Sequence, residues 1–245
     1  MSKNTKNIIL AVIAHPDDET LFSGIIALLT DKNIPIHIVY ATSGNGGGDA
    51  SGRNLSGNAL AVVREDETRN SLKIIGLKTP PIFLKYNDGE LKNKIESLRN
   101  NISSLFDEIK PNIVITFGPD GMSGHPDHIT IGAVTDYIFD RKYFVDTLLH
   151  IAVSETRAQI YNSAAENYIV EHAVNDSAIN LKVDVEKYNE KKLLAATAYK
   201  TQFTENDCKA IGNLISKAPY EEFIITRERG MKDGIFDPRQ WRGNP

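Results

Sequence analysis

The sequence predicts an α/β fold in which helices cover both faces of a doubly wound, mostly parallel sheet. Apolar strand-like runs alternate with amphipathic helical stretches along the first two-thirds of the chain. The first run, residues 8–14, is apolar at every position, as expected for a strand that is covered on both faces. The strand–helix order then repeats without a break, and this alternation favours parallel strands joined by crossover helices.

The elements of this predicted core follow one another in a simple order. The core strands are predicted at residues 8–14, 36–41, 82–84, 113–117 and 148–153. The helices between them are predicted at residues 21–29, 60–75, 91–109 and 128–139. Gly76 suits the C-terminal cap of the second helix, and Pro111 follows the end of the third.

Beyond residue 154 the pattern is less regular. Strands are predicted at residues 168–171 and 179–183, helices at 186–199 and 207–217, and an irregular tail at 230–245. No linker or shift in composition marks a second domain. We therefore predict one domain over residues 1–245, with a core at 1–150 and a smaller α+β extension at 151–245.

Composition excludes several classes of partner and site. The 245 residues carry a net charge of -4 without a basic run, so no nucleic acid partner is expected. Cys208 is the single cysteine, which excludes an intramolecular disulfide and a zinc site built on thiolates. The apolar run at residues 8–14 lacks a cleavage pattern, and no stretch approaches the ~20 apolar residues of a membrane span. We expect a cytoplasmic protein that acts on a small molecule; a homo-oligomer is compatible with the sequence.

Two polar clusters follow predicted strands. His15-Pro16-Asp17-Asp18-Glu19 comes directly after the first strand, and His125-Pro126-Asp127-His128 comes after the strand at residues 113–117. Ligands of open α/β sheets bind beyond the carboxyl ends of the strands, and parallel strands end at one edge. The two clusters are therefore expected to meet.

Imidazole and carboxylate are ligands of catalytic zinc, which keeps an open position for water. His15, Asp18 and His128 are the predicted ligands, and Asp17 is the free carboxylate that could take a proton from that water. His125 would then stabilise the developing oxyanion, with Asp127 holding its imidazole. Taken singly, the aspartates could be helix caps, and the histidines could belong to turns or a helix end. Together they would be costly to bury without a cation.

The clusters resemble the hallmarks of the GlcNAc-phosphatidylinositol de-N-acetylase family, also called LmbE-like: Ala-His-Pro-Asp-Asp-Glu at residues 14–19 and His-x-Asp-His at 125–128. Weaker similarities lie in Arg64-Glu65-Asp66-Glu67, in Asn87-Asp88-Gly89, in Pro119-Asp120-Gly121 and near the C-terminus at residues 183–185 and 198–203. The resemblance therefore spans most of the chain.

The resemblance implies a Rossmann-like sheet and a zinc ion held by His15, Asp18 and His128. It implies that Asp17 is the general base and that His125, supported by Asp127, is the transition-state electrophile. Arg64 and Asp88 would face hydroxyl or phosphate groups of the substrate. The implied reaction is removal of an N-acetyl group from an N-acetylglucosamine derivative whose aglycone the sequence leaves open.

Two positions depart from the family pattern. Relatives often have histidine in the closing motif, where this chain has Tyr199-Lys200-Thr201-Gln202, and some have tyrosine at the position of Ser123. Tyr199 could polarise the substrate carbonyl or could be a core or surface residue.

Two other functions remain open from the sequence. An amidase that acts on a thiol-glycoside conjugate would use the same residues, whereas a sugar- or nucleotide-binding module would need no catalytic set. Ser43-Gly44-Asn45-Gly46-Gly47-Gly48 resembles a dinucleotide loop only superficially, because it follows the second strand and Asp49 stands where the third glycine should fall. We interpret this segment as a mobile loop over the site mouth.

Overall fold

A computed structural model describes residues 7–165, 169–230 and 237–241. Its core is one seven-stranded sheet in the order β3-β2-β1-β4-β5-β7-β6. The strands are β1 (Ile9–Ile13), β2 (Ile36–Thr42), β3 (Ile82–Tyr86), β4 (Ile113–Phe117), β5 (Thr147–Ile151), β6 (Leu181–Asp184) and β7 (Tyr220–Glu228). Strands β1 to β5 pair in parallel, and β7 pairs antiparallel with both β5 and β6. The predicted doubly wound, mostly parallel α/β fold is confirmed.

Helices pack around this sheet in separate groups. They are α1 (Ser23–Asp31), α2 (Gly57–Ile75), α3 (Ile95–Ile109), α4 (Pro126–Phe139), α5 (Glu155–Asn162), α6 (Asn189–Ala196) and α7 (Glu205–Lys217). Helix α6 contacts α1, α2 and α7, whereas α3 packs against α4. Every residue of β1, β4 and β5 is buried, because these central strands have neighbours on both sides and covered faces.

The polar clusters owe their position to local features of the chain. Gly132 lets α4 lie close to β4, because a Cβ at this position would lie 2.5 Å from the carbonyl oxygen of Phe117. The Phe117 ring in turn stacks on the His128 imidazole with 3.9 Å between ring centroids. Helix α4 therefore begins directly above the end of β4, beside the end of β1.

The C-terminal part differs from the sequence prediction in several places. Strand β7 and helix α5 were not predicted, and the helix expected at residues 186–199 is shorter, at Asn189–Ala196. Residues 169–171 are not in a strand, and residue 168 lies outside the described residues. The sequence pattern did not predict strand β7, because Glu221 and Glu222 interrupt its apolar run. Both side chains are nevertheless buried.

Part of the tail that was predicted to be irregular is described. Residues 238–240 form a 3₁₀ turn, and Trp241 is fully buried in the hydrophobic core. Residues 231–236 and 242–245 lie outside the described residues. Across the described ranges, no helix combines the length and apolarity needed to cross a bilayer.

Candidate active site

The two polar clusters meet at the carboxyl ends of β1 and β4. His15 Nδ1 lies 3.1 Å from His128 Nε2, and His128 Nε2 lies 3.1 Å from Asp18 Oδ1. His15 Nδ1 also lies 3.8 Å from the other carboxylate oxygen of Asp18, Oδ2, so the three side chains form a triangle. Residues that are 110 or more positions apart in the sequence thus converge on one point, as the sequence predicts for parallel strands.

Neighbouring groups orient each of these three side chains. Asp18 Oδ2 accepts hydrogen bonds from the backbone N–H groups of Ala14 and His15 at 3.0 and 2.7 Å, which leaves Oδ1 directed at His128. His128 Nδ1 lies 2.9 Å from the carbonyl oxygen of Gly121, so Nδ1 carries the proton and Nε2 presents its lone pair.

His15 is oriented by acids on the far side of its ring. Its Nε2 lies 3.0 Å from Asp88 Oδ1 and 3.3 Å from Asp127 Oδ2, so this nitrogen donates and Nδ1 faces His128. Burial lowers the pKa of His15, but the hydrogen bonds to Asp127 and Asp88 outweigh it and raise the pKa to about 10. The cluster therefore favours a positive charge at this point.

This donor set fits a divalent cation. Two imidazole nitrogens and a carboxylate oxygen converge, and carboxylate or carbonyl partners fix both histidines, as is usual for metal-bound histidine. Four carboxyl groups, those of Asp17, Asp18, Asp88 and Asp127, lie at this cluster, and Arg64 is close to two of them, Asp17 and Asp88. The acids carry more negative charge than Arg64 alone can offset. A bound cation would offset this excess of negative charge.

Among the described residues, two other groups of three side chains have ligand atoms within 4.8 Å of one another: His15, His125 and His128, and His15, Asp88 and Asp127. The second uses the ring nitrogen of His15 that faces away from His128. The first leaves out Asp18, whose Oδ1 lies 3.1 Å from His128 Nε2. We therefore favour His15, Asp18 and His128 over either alternative.

Asp17 occupies a strained position beside this triangle. Its backbone has φ 95°, and its side chain makes no capping hydrogen bond to the 3₁₀ turn that follows. Non-glycine residues rarely adopt positive φ, and such strain is often found at functional sites. Burial raises the pKa of Asp17 to about 8 against the opposing charge of Arg64. The carboxyl group borders the cleft.

The pKa of Asp18 shifts in the opposite direction to that of Asp17, although the two residues are adjacent. Burial would raise its pKa, but the imidazoles of His128 and His15 hold the pKa of Asp18 at about 2. Neighbouring carboxyls whose environments move their pKa values in opposite directions are suited to different chemical roles. Asp18 is suited to hold a cation and Asp17 to exchange a proton.

His125 is the N-cap of α4 and is partly exposed to the cleft. Its Nδ1 accepts the backbone N–H of Asp127 at 3.1 Å, so the proton of the neutral ring lies on Nε2. Burial, together with the charges of His15 and His128, lowers the pKa of His125 and favours this neutral form. The ring can therefore donate a hydrogen bond without being a cation.

The Asp127 carboxylate makes its close contacts with groups other than His125, and its expected support of His125 stays a prediction. The carboxylate accepts from the backbone N–H groups of Gly89 and Leu91 at 2.7 and 3.1 Å and contacts His15. Because Asp127 is the second residue of α4, its side chain points to the turn after β3 rather than back to His125. This contact with His15 could not be predicted from the spacing of the two clusters.

Arg64 and Asp88 lie beside the triangle. Arg64 Nη1 is 3.9 Å from Asp88 Oδ2 and donates to the carbonyl oxygen of Gly44 at 2.9 Å. A Cβ at Gly44, which has φ +69°, would clash with the Arg64 guanidinium. The glycines of this loop are thus needed to accommodate Arg64.

The rest of the glycine-rich loop is tied to the protein. Ala50 N–H donates to Thr201 at 2.9 Å, and Gln202 donates to the carbonyl oxygen of Gly48 at 3.2 Å. Its mobility stays a prediction.

Tyr199 and Ser123, the two residues that depart from the family pattern, lie in different surroundings. Tyr199 is fully buried and hydrogen-bonds Glu19, so it is a core residue and does not line the cleft. Ser123 Oγ lies 3.1 Å from His128 Nδ1.

Eight of these polar side chains line a cleft of about 560 Å³: His15, Asp17, Asp18, Arg64, Asp88, Ser123, His125 and His128. Its other wall is formed by apolar side chains of α7 and by Arg157, Lys192 and Glu222. Sequence reasoning missed these three charged residues, because charged side chains in an irregular region usually face solvent.

Comparison with known proteins places these features in context. Residues 10–139 match the family model described as PIG-L: GlcNAc-PI de-N-acetylase. The chain is 30% identical to a probable N-acetyl-alpha-D-glucosaminyl L-malate deacetylase 2 of Bacillus anthracis, over 98% of this chain and 92% of that protein. It is 29% identical to a 1D-myo-inositol 2-acetamido-2-deoxy-alpha-D-glucopyranoside deacetylase of Saccharomonospora viridis, over 92% of this chain and 96% of that protein.

A solved structure shows a similar fold. The N,N'-diacetylchitobiose deacetylase from Pyrococcus horikoshii superimposes with a TM-score of 0.70 and 21% identity, covering 90% of this chain and 84% of that one.

Proposed function

This chain belongs to the PIG-L family, described as GlcNAc-PI de-N-acetylase, and we propose that it is a metal-dependent hydrolase that removes the N-acetyl group from an N-acetylglucosamine derivative. The observation that carries this proposal is the convergence of His15, Asp18 and His128 beside the uncommitted carboxyl group of Asp17. The names of the relatives favour an amino sugar as the substrate.

We propose zinc as the metal, held by His15 Nδ1, Asp18 and His128 Nε2. When bound, zinc supplies Lewis acidity, which polarises a carbonyl group and makes water more acidic. The chemistry of the donor set, two imidazoles and one carboxylate, supports this choice.

The chain's own residues perform the proton transfers. Asp17 takes a proton from the attacking water. Burial raises the pKa of Asp17 to about 8, and the positive charges of Arg64 and His15 limit this rise, so the carboxyl group can both accept a proton and release it. His125 donates its Nε2 proton in a hydrogen bond to the oxyanion that develops on the amide carbonyl. The leaving amine then takes a proton from Asp17.

Binding and positioning fall to the surrounding residues. Asp127 holds His15 from the side opposite His128 and so fixes which nitrogen faces the cation. Arg64 and Asp88 border the cleft and offer a donor and an acceptor to sugar hydroxyl groups. The cytoplasmic location and the oligomeric state stay predictions.

The test is release of acetate from a panel of N-acetylglucosamine derivatives and N-acylated thiol glycosides, with and without a chelator. We expect release from an N-acetylglucosamine derivative, loss of release with chelator, and recovery when zinc is restored. Release that is unchanged by chelator would contradict metal dependence. Zinc-loaded protein that hydrolyses thiol conjugates alone would favour the amidase, and zinc-loaded protein that hydrolyses neither substrate type would favour a binding module.

A further inference from the structure

The cleft extends well beyond the residues that the reaction needs. Helices α5, α6 and α7 of the C-terminal part all contribute to a second wall, and its apolar part consists mainly of Phe203, before α7, and of Ile211, Leu214 and Ile215 on α7. A bare acetyl group and one sugar ring do not account for this additional apolar surface. This wall therefore faces another part of the substrate.

A buried arginine, Arg157, lies in this wall beside the apolar residues. Arg157 lies in the first turn of α5, borders the cleft and is only 6% exposed. Its Nε and Nη1 atoms are buried without a hydrogen-bond partner within the described part of the chain. Buried donors of a charged group are costly to leave unpaired, so such a group points to a ligand.

The contacts that Arg157 does make are long. Its Nε lies 3.9 Å from Glu222 Oε2, and its guanidinium carbon lies 5.3 Å from the centre of the Tyr220 ring. Neither contact satisfies an N–H group, because a hydrogen bond requires about 3.2 Å or less.

Other groups already neutralise the nearby acids. Glu222 accepts from Ser154 N–H at 2.8 Å and Ser154 Oγ at 3.0 Å, and it pairs with Lys182 at 3.1 Å. Lys192, the other cation of this wall, pairs with Glu221 at 2.8 Å. The positive charges of Lys182 and Lys192 offset the negative charges of Glu222 and Glu221, so the positive charge of Arg157 is not offset by these groups.

The separation of the two strand ends that precede Arg157 and His15 suits one substrate molecule. Arg157 follows β5, and His15 follows β1, with β4 between these two strands. Neighbouring strands are about 4.8 Å apart, so the ends of β1 and β5 are roughly 10 Å apart. A sugar ring with a substituent can bridge this separation.

We propose that Arg157 binds an oxyanion, a carboxylate or a phosphate, on the aglycone of the substrate, while the apolar wall contacts the segment that joins this anion to the sugar. The proposal rests on the proposed deacetylation. A planar guanidinium is suited to contact with a carboxylate or phosphate, and the Nε and Nη1 groups of Arg157 have no hydrogen-bond partner among the described residues. The enzyme would therefore select an anionic glycoside over a neutral one.

The test compares N-acetylglucosamine glycosides that share a propyl aglycone ending in a carboxylate, a phosphate or a primary amide. We expect wild-type protein to prefer at least one charged glycoside over the amide in kcat/KM. Arg157→Gln should reduce that preference by about 10- to 100-fold, mainly through KM, because a hydrogen bond to a charged group is lost. Arg157→Lys should restore part of it. The preferred terminus identifies the anion.

A matched control uses Lys209 on α7, which also carries a positive charge but is exposed. Lys209→Gln should keep the preference of the wild type. Equal kcat/KM for the three glycosides in the wild type would overturn the proposal, and so would an Arg157→Gln variant that weakens all three equally.

A binding measurement separates this proposal from the proposed function. Calorimetry with Asp17→Asn protein should show tighter binding of a charged glycoside than of the amide, and the double variant with Arg157→Gln should lose the difference. This result would support the anion subsite even if no acetate were released from any glycoside. Equal affinities of the single and double variants would overturn it. Acetate release from the amide glycoside without any charge preference would overturn the subsite alone.

Discussion

At the scale of single residues, Asp17 combines backbone strain with a carboxyl group that no hydrogen bond occupies within the described residues. We expect Asp17→Asn to lower kcat by about 10²- to 10⁴-fold, the range of a lost general base, because an amide cannot take a proton from water. Zinc content should remain stoichiometric, since Asp17 is not among the proposed ligands. Parallel acetate-release assays and metal analysis check both points, and near-normal turnover would remove Asp17 from the mechanism.

Asp127 provides a second residue-level prediction. Because its carboxylate contacts His15 and two backbone N–H groups, Asp127→Asn should weaken zinc affinity by about 10- to 100-fold, as loss of a partner behind a metal-bound histidine does. His125→Gln should instead retain affinity and lower kcat. Competition with a zinc chelator measures both variants. An Asp127→Asn variant that binds zinc normally but turns over slowly would instead favour the role implied by the family resemblance, in which Asp127 acts through His125.

The sequence could predict which residues gather at the site, because strand ends in a parallel sheet share an edge. It could not predict which nitrogen of each imidazole faces inward. That choice depends on partners from distant turns, such as Gly121 for His128 and Asp88 for His15. Arg157 gave no signal at all, since burial of a charged residue depends on tertiary structure.

At the scale of elements, the glycine-rich loop after β2 holds Arg64 in place. Gly44→Ala should destabilise the protein by about 1 to 2 kcal/mol, because alanine is strained at positive φ, and should raise KM by displacing Arg64. Gly48→Ala is the matched control, since a Cβ there meets nothing within 4 Å. Urea unfolding and steady-state kinetics compare the two. Equal effects of the two substitutions would argue against this role for Gly44.

Elements of the core could be predicted because their apolar runs are continuous and the connecting helices have clear ends. Strand β7 and helix α5 could not be predicted from the sequence, because both contain charged side chains that are buried. Glu221 in β7 and Arg157 in α5 resemble surface residues until their partners are known.

At the scale of the whole molecule, β7 joins the C-terminal part to the core. Glu221, fully buried in β7, accepts from the N–H groups of Gly24 and Ile25 at 2.8 Å each and pairs with Lys192. We expect Glu221→Ala to lower the free energy of unfolding by about 3 to 5 kcal/mol, because the lysine charge is left buried and unpaired.

The control lies on the same strand. Glu228 pairs with Arg239 near the surface, so Glu228→Ala should cost no more than about 1 kcal/mol. Urea unfolding followed by circular dichroism measures both variants. Similar losses for the two would show that Glu221 does not join the C-terminal part to the core as described.

The proposed function requires a single cation held between the ends of β1 and β4. Anomalous diffraction at the zinc absorption edge, from crystals of zinc-loaded protein, tests this directly. We expect one strong peak at about 2.0–2.2 Å from His15 Nδ1, an Asp18 oxygen and His128 Nε2. A peak bound by other residues, or none at this position in zinc-loaded protein, would contradict the account.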